Sequence, residues 1–125
     1  MSEEDLIRAC WGLGVHVVYF PFEHAGAYVH SLKLIIIDSS QPPAEQKFTL
    51  AHEYVHARYG HDGYQSSHVE QRVDREAARL LISPAAYALA ERLVGCHPVA
   101  LAEELHVPAE CVKAYQAGLE NQLAV

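Results

Sequence analysis

Residues 48–60 read FTLAHEYVHARYG, and within them two histidines, His52 and His56, lie four positions apart with Glu53 beside the first. On a helix each residue advances about 100°, so the two imidazoles lie about 40° apart on one face. Both rings can then reach one ion at the usual Zn–N distance of about 2.0–2.1 Å. Glu53 lies one step round the helix, where it is poorly placed as a further ligand but can contact a water on the ion. The spacing predicts a catalytic zinc site.

The alternative is an ordinary polar helix in a chain that contains nine histidines. The flanking apolar residues favour the metal site, because they fall near the same side of the predicted helix as the two histidines: Phe48, Ala51, Val55 and Tyr59. We expect that side to face the core, where imidazoles without a partner would be costly. A bound metal ion would supply the partner.

A third ligand is expected from the next predicted helix, residues 67–82, which carries the acids Glu70, Asp74 and Glu76. Glu70 and Asp74 lie about 40° apart on an apolar stripe. We assign Glu70 to the zinc, and we expect Asp74 to accept a hydrogen bond from the far nitrogen of a ligand histidine. Glu76 lies about 240° round from Glu70, on the side that carries three arginines. We expect Glu76 to be solvated and paired with arginine.

The chain before these helices predicts a short helix and a small sheet. The helix spans residues 3–12 and ends at glycine, and three strands follow at about 15–20, 26–30 and 33–38. We expect a tight connection at Ser31 and Leu32, and we expect LIIID in the last strand to be covered on both faces.

The rest of the chain is predicted to be helical. The histidine helix should run from about 42 to Gly60, capped by Ser39, Ser40 or Gln41. Helices at about 84–94, 98–105 and 108–119 follow, each opened by a proline. The order predicts an α+β fold in one domain, residues 1–125, with a helical C-terminal part at about 84–120.

Composition argues against several classes of protein. The net charge of −7 disfavours a nucleic-acid surface. No stretch approaches the roughly 20 apolar residues of a membrane span. The N-terminal MSEEDLIRAC lacks a signal layout, so we expect a cytoplasmic protein. Three dispersed cysteines, Cys10, Cys96 and Cys111, do not indicate a disulfide framework, and we expect Cys10 and Cys111 to be buried thiols.

The combined pattern resembles the ImmA/IrrE metallopeptidases. Those commonly show rFTLAHElGH and then ExEANxFAaeLLmP, with a strand before the first motif and an LAxxFgVSxxaVxxRL tail. The matching segments here are FTLAHEYVH (48–56), EQRVD (70–74), AARLLI (77–82), KLIIIDSSQPPAEQ (33–46) and LAEELHVPAECVKAYQ (101–116). The likeness extends over about 13–119. It implies a zincin core in which His52, His56 and Glu70 bind Zn²⁺ and Glu53 is the catalytic base.

Four positions depart from the family pattern. Tyr54 and Val55 stand where leucine and glycine are usual, and we expect Val55 to narrow the cleft beside the zinc. Glu76 replaces a phenylalanine, and Ser83 precedes Pro84. None of these changes removes a ligand or the base, so a competent site is predicted.

By this resemblance, the protein would be a zinc endopeptidase that cleaves a DNA-binding helix-turn-helix repressor of a mobile element, prophage or stress response. One alternative is a non-catalytic zincin-fold module that binds a partner as an anti-repressor. A weaker one is a zinc hydrolase of small amides. No nucleic-acid or membrane partner is expected, and the C-terminal segment, despite its helix-turn-helix cadence, is expected to pack on the core.

Two features of substrate handling stay open at this point. An extended substrate could add to strand 26–30 or strand 33–38. A donor for the oxyanion could come from the loop or from the strands. Its candidates are His61, Tyr64, His68, His30 and Tyr28.

Overall fold

The computed structural model describes residues 1–123, and in that range the chain forms six α-helices and a three-stranded sheet. The α+β prediction is confirmed. The elements are α1 (Glu3–Gly12), β1 (His16–Phe20), β2 (Gly26–Val29), β3 (Leu34–Asp38), α2 (Pro43–Arg58), α3 (Ser67–Leu81), α4 (Pro84–Val94), α5 (Pro98–Leu105) and α6 (Ala109–Leu123).

The sheet has the order β1-β3-β2, so that β2 is an edge strand. β1 runs parallel to β3, and β2 runs antiparallel to it with Ala27 opposite Ile36. The connection between β2 and β3 is a 3-10 turn, His30–Leu32, followed by Lys33 in the left-handed region at φ 49°. His30 therefore lies outside the strand in which it was predicted.

The prediction that β3 is covered on both faces is wrong. Ile35 and Ile37 are fully buried, whereas Ile36 on the other face is only partly buried. Helices cover the first face, where Leu6 of α1 and Leu50 of α2 join the same core as Ile35 and Ile37. The sheet thus has one core face, and α2 packs across it.

The predicted side-chain cap of α2 is also wrong. Pro42 occupies the cap position without a side-chain hydrogen bond. The Ser40 hydroxyl instead donates to the Asp38 carboxylate at 2.7 Å, and the Gln46 side chain donates to the backbone oxygens of Ser39 and Gln41 at 3.2 and 2.9 Å. The turn before α2 is therefore stabilised by hydrogen bonds to the Asp38 carboxylate, which precedes it, and by hydrogen bonds from the Gln46 side chain of α2, which follows it.

A second core lies between α3 and the C-terminal helices. It contains Ile82, Leu101 and Val112, all nearly or fully buried. The C-terminal helices therefore pack on the α3 side of the molecule, as expected from the sequence. Ser83 caps α4 by accepting a hydrogen bond from the Ala86 amide, so this departure from the family pattern has a structural use.

The three cysteines are free, as expected. Cys10 and Cys111 are fully buried and Cys96 is exposed. None of the described helices has the length and apolar character that a bilayer crossing requires. The assignment of residues 1–125 to one domain stays a prediction, and its last two residues lie outside the described part.

Candidate metal centre

Helices α2 and α3 bring together the three residues that the sequence assigns to a metal. Nε2 of His52 and Nε2 of His56 lie 3.1 Å apart. Oε2 of Glu70 lies 3.1 Å from the first nitrogen, and Oε1 lies 3.0 Å from the second. Asp74, one helical turn after Glu70, reaches the opposite side of the His52 ring.

These donors fit a metal ion. An ion with bonds of about 2.0–2.1 Å in tetrahedral geometry holds its ligand atoms about 3.3 Å from each other. The two Nε2 atoms lie 3.1 Å apart, and each lies 3.0–3.1 Å from a different oxygen of the Glu70 carboxylate, close to that value. Two imidazole nitrogens and a carboxylate converge here within reach of a single ion. The group is therefore compatible with a metal ion.

Asp74 contacts the ring nitrogen of His52 that faces away from the converging donors. Its Oδ1 lies 2.7 Å from Nδ1 of His52. An ionised carboxylate only accepts hydrogen bonds, so a neutral His52 ring that donates to Asp74 carries its proton on Nδ1 and presents a lone pair at Nε2. This is the arrangement that metal ligation requires.

His56 has an imidazole partner instead. Its Nδ1 lies 2.9 Å from Nδ1 of His61, a residue just beyond the end of α2. The sequence predicted His61 only as a candidate oxyanion donor. A signal was present: Gly60 was expected to end the helix, and the residue after a terminal glycine commonly folds back over the last turn.

Glu53 lies in the same cleft but is 8% exposed. Burial raises the pKa of the Glu53 carboxyl to about 7; the His52 imidazole opposes this shift, and the Glu70 and Asp74 carboxylates add to it. Burial also acts on His52, but the Asp74 hydrogen bond and the Glu53 charge outweigh it and raise the pKa of His52. Burial and the nearby His52 lower the pKa of His56, which favours a neutral ring.

The candidate ligands and Glu53 line an open cleft of about 800 Å³. Edge strand β2 forms one wall through Gly26, Ala27 and Tyr28. β3 is central in the sheet, so strand addition to residues 33–38 is excluded, and β2 is the edge strand that borders the cleft.

Gly26 allows β2 to approach α2, a role that the sequence did not indicate. A Cβ at this position would lie 2.5 Å from Cγ2 of Thr49, 3.0 Å from the backbone oxygen of Ile36 and 3.4 Å from Cγ of Glu53. Any side chain here would push the strand away from the helix that carries Glu53.

Several predictions about the helix faces need correction. Val55 does not narrow the cleft: it is fully buried and lines a separate cavity of about 90 Å³ between α2 and α3. Tyr54 packs against the hydrophobic core. Tyr59 is 52% exposed, because it lies at the helix end beyond the core. Glu76 is partly buried and accepts a hydrogen bond from the Tyr59 hydroxyl at 2.8 Å, rather than pairing with arginine.

The five candidate oxyanion donors separate into two groups. Tyr28, His61 and Tyr64 line the cleft. His68 lies on the exposed side of α3, and His30 is held by the Tyr28 hydroxyl at 2.8 Å.

A small α+β domain with an HExxH helix, a glutamate from the following helix and a buried glutamate in the cleft defines a zincin-like protein. The model of the IrrE N-terminal-like domain family, Peptidase_M78, matches residues 10–114. The chain belongs to this peptidase family, and the predicted ImmA/IrrE membership is confirmed. Among curated proteins, none matches the chain.

Proposed function

We propose that the protein is a zinc-dependent endopeptidase that cleaves a DNA-binding repressor. The observation that carries the chemistry is the position of Glu53, a buried carboxyl that lines the same open cleft of about 800 Å³ as the three converging donors. Membership of a peptidase family supports the same reaction.

His52, His56 and Glu70 would hold the zinc, which would supply a Lewis acid for the peptide carbonyl and lower the pKa of a water molecule towards about 7. Two histidines and one carboxylate form a donor set typical of catalytic zinc sites. Asp74 keeps the His52 lone pair directed at the site.

Glu53 is the proposed general base. It takes the proton from the attacking water and returns it to the departing amine. A nearby cation lowers the pKa of a carboxyl, which favours the ionised form that accepts the proton. Tyr64 on the cleft wall offers a hydroxyl donor for the oxyanion, whereas the Tyr28 hydroxyl is engaged with Nδ1 of His30 at 2.8 Å.

We propose that the substrate backbone binds along the outer edge of β2, an edge strand of the sheet. An extended peptide that adds to this edge would pass Gly26 and Ala27 beside Glu53. A small amide lacks the extended backbone that could form hydrogen bonds along this strand edge. Substrate binding by strand addition would therefore favour an endopeptidase over a hydrolase of small amides.

Two observations support a repressor as the substrate. The sequence resembles the ImmA/IrrE peptidases, for which repressor cleavage is the implied activity. The net charge of −7 also suits a basic, DNA-binding partner. A substrate of this kind would place the protein in the cytoplasm.

The test is cleavage of a helix-turn-helix repressor encoded beside this gene by zinc-loaded protein, followed by mass spectrometry. We expect one or a few defined cuts with wild type and none with Glu53→Gln, which keeps all three zinc donors. A peptide library run in parallel separates the reaction from the substrate: cuts in the library alone would reject only the repressor. Release of the repressor from DNA by both proteins without cleavage would support the anti-repressor module instead.

A further inference from the structure

We infer that His61 is a positioning residue for the candidate metal ligand His56, placed there by the C-terminal cap of α2. The inference rests on the proposed metal site. It assigns to His61 the role at His56 that Asp74 has at His52.

The backbone at the end of α2 brings His61 back over His56. Gly60 adopts φ 65°, and its amide donates to the Ala57 oxygen at 3.1 Å. The His61 amide donates to the His56 oxygen at 3.0 Å. This pair of bonds is a Schellman motif, in which the residue after the glycine usually makes an apolar contact with the last helical turn. Here that contact is replaced by two imidazoles.

The side chains meet on the side of His56 away from the metal site. The two Nδ1 atoms are 2.9 Å apart, and the rings are inclined at 65°. Nε2 of His56 is at the other end of its ring, facing Glu70 at 3.0 Å. His61 therefore acts through His56 and is not among the three residues whose donor atoms converge.

The contact selects one tautomer of His56. A neutral imidazole has one N–H and one lone pair, and a metal ligand must present the lone pair. With His61 as acceptor, the proton of His56 lies on Nδ1 and Nε2 is free to ligate. Without that acceptor, the proton can move to Nε2, where Glu70 accepts it, and this tautomer cannot bind the metal. His61 thus competes with Glu70 for the proton.

Two residues restrain His61 itself. The Tyr59 ring stacks on the His61 ring with centroids 5.7 Å apart and planes inclined at 24°. The Tyr59 hydroxyl donates to Glu76 of α3 at 2.8 Å. Glu76 is one of the departures from the family pattern, and it supports a contact that a phenylalanine there would not make.

The test compares His61→Asn with His61→Leu. Asparagine keeps a short acceptor, whereas leucine of similar size restores the usual apolar contact of the motif without one. Both keep the backbone amide bond, so both variants should fold. We expect zinc affinity, measured by chelator competition, to fall about 10- to 100-fold in His61→Leu and much less in His61→Asn. His16→Ala, at an exposed position at the start of β1, is the matched histidine control and should bind zinc as wild type does.

A second measurement does not depend on metal loading. In protein treated with chelator, ¹⁵N chemical shifts of the His56 ring should report a proton on Nδ1 in wild type and a shift towards Nε2 in His61→Leu. Equal zinc affinity and equal ring shifts in both variants and wild type would overturn the inference. Equal weakening of Asn and Leu would also overturn it, since it would mark a structural role. Wild type that binds no zinc would reject the metal site itself, and this is measured first.

Discussion

Oδ1 of Asp74 lies 2.7 Å from Nδ1 of His52, and this contact joins the two helices that carry the candidate ligands. Glu70, one turn earlier on α3, reaches the opposite nitrogen of the same ring at 3.1 Å. Two carboxylates four residues apart on α3, those of Glu70 and Asp74, therefore contact the two ring nitrogens of His52. That relationship accounts for two half-buried carboxylates on the side of α3 that faces α2.

Asp74→Asn should weaken zinc binding by about 10- to 100-fold, because the amide loses the charge that keeps the His52 proton on Nδ1. Chelator competition measures the affinity. Glu76→Gln on the same helix also removes one carboxylate charge but contacts Tyr59 rather than a ligand. Equal affinities in the two variants would contradict the role of Asp74.

Gly26→Ala should destabilise the fold by about 1–3 kcal/mol, since the new methyl meets Thr49 at 2.5 Å and the Ile36 backbone at 3.0 Å. The displaced strand should also lower kcat/KM for cleavage. Urea unfolding measures the first effect. Gly12→Ala is the control, because no atom lies within 4 Å of its added Cβ. A Gly26→Ala protein as stable and active as the control would show that the close approach is unimportant.

One thiol should react with a thiol reagent at pH 8 in the native protein, and three after denaturation. Cys96 is exposed, whereas burial raises the pKa of Cys10 to about 11 and that of Cys111 to about 12. Both low access and the low thiolate fraction protect the buried pair. Rapid reaction of two or more thiols before unfolding would contradict the burial of Cys10 and Cys111.

The stability of the fold should fall as the pH rises above about 9. Burial raises the pKa of Cys10 from 9.0 to about 11, so the folded state keeps a proton that the unfolded state releases. The contribution is complete below the unfolded pKa and is lost as the pH passes through the folded one. Free energies of unfolding at pH 8 and pH 10.5 test this. Between these two pH values, the Cys10→Ala protein should lose less unfolding free energy than wild type. Identical losses in the two proteins would contradict the contribution of the Cys10 thiol.

The candidate site was largely predictable because helical phase relates residues that are close in sequence. Four-residue spacing selects His52 with His56 and Glu70 with Asp74, and the structure brings all four together. The spacing does not report which helix packs beside a given side. Val55 was therefore predicted to lie at the cleft, although its side chain is buried in the core and faces α3.

Long-range pairing and the helix ends were less predictable. The parallel pairing of β1 with β3 depends on contacts between distant segments, and local pattern carries no signal for it. The contact of His61 with His56 depends on the backbone at Gly60, whose left-handed conformation turns the next residue back over the last helical turn. Tyr59 lies beyond the last core contact, so helical phase alone could not show its exposure.

The most direct test of the central claim is the zinc content of purified wild-type protein beside Glu70→Ala and Glu76→Ala. The two glutamates lie on one helix, but only Glu70 faces His52 and His56. We expect about one ion per chain in wild type and in Glu76→Ala, and a large loss in Glu70→Ala. Full zinc in Glu70→Ala together with loss in Glu76→Ala would contradict the proposed site.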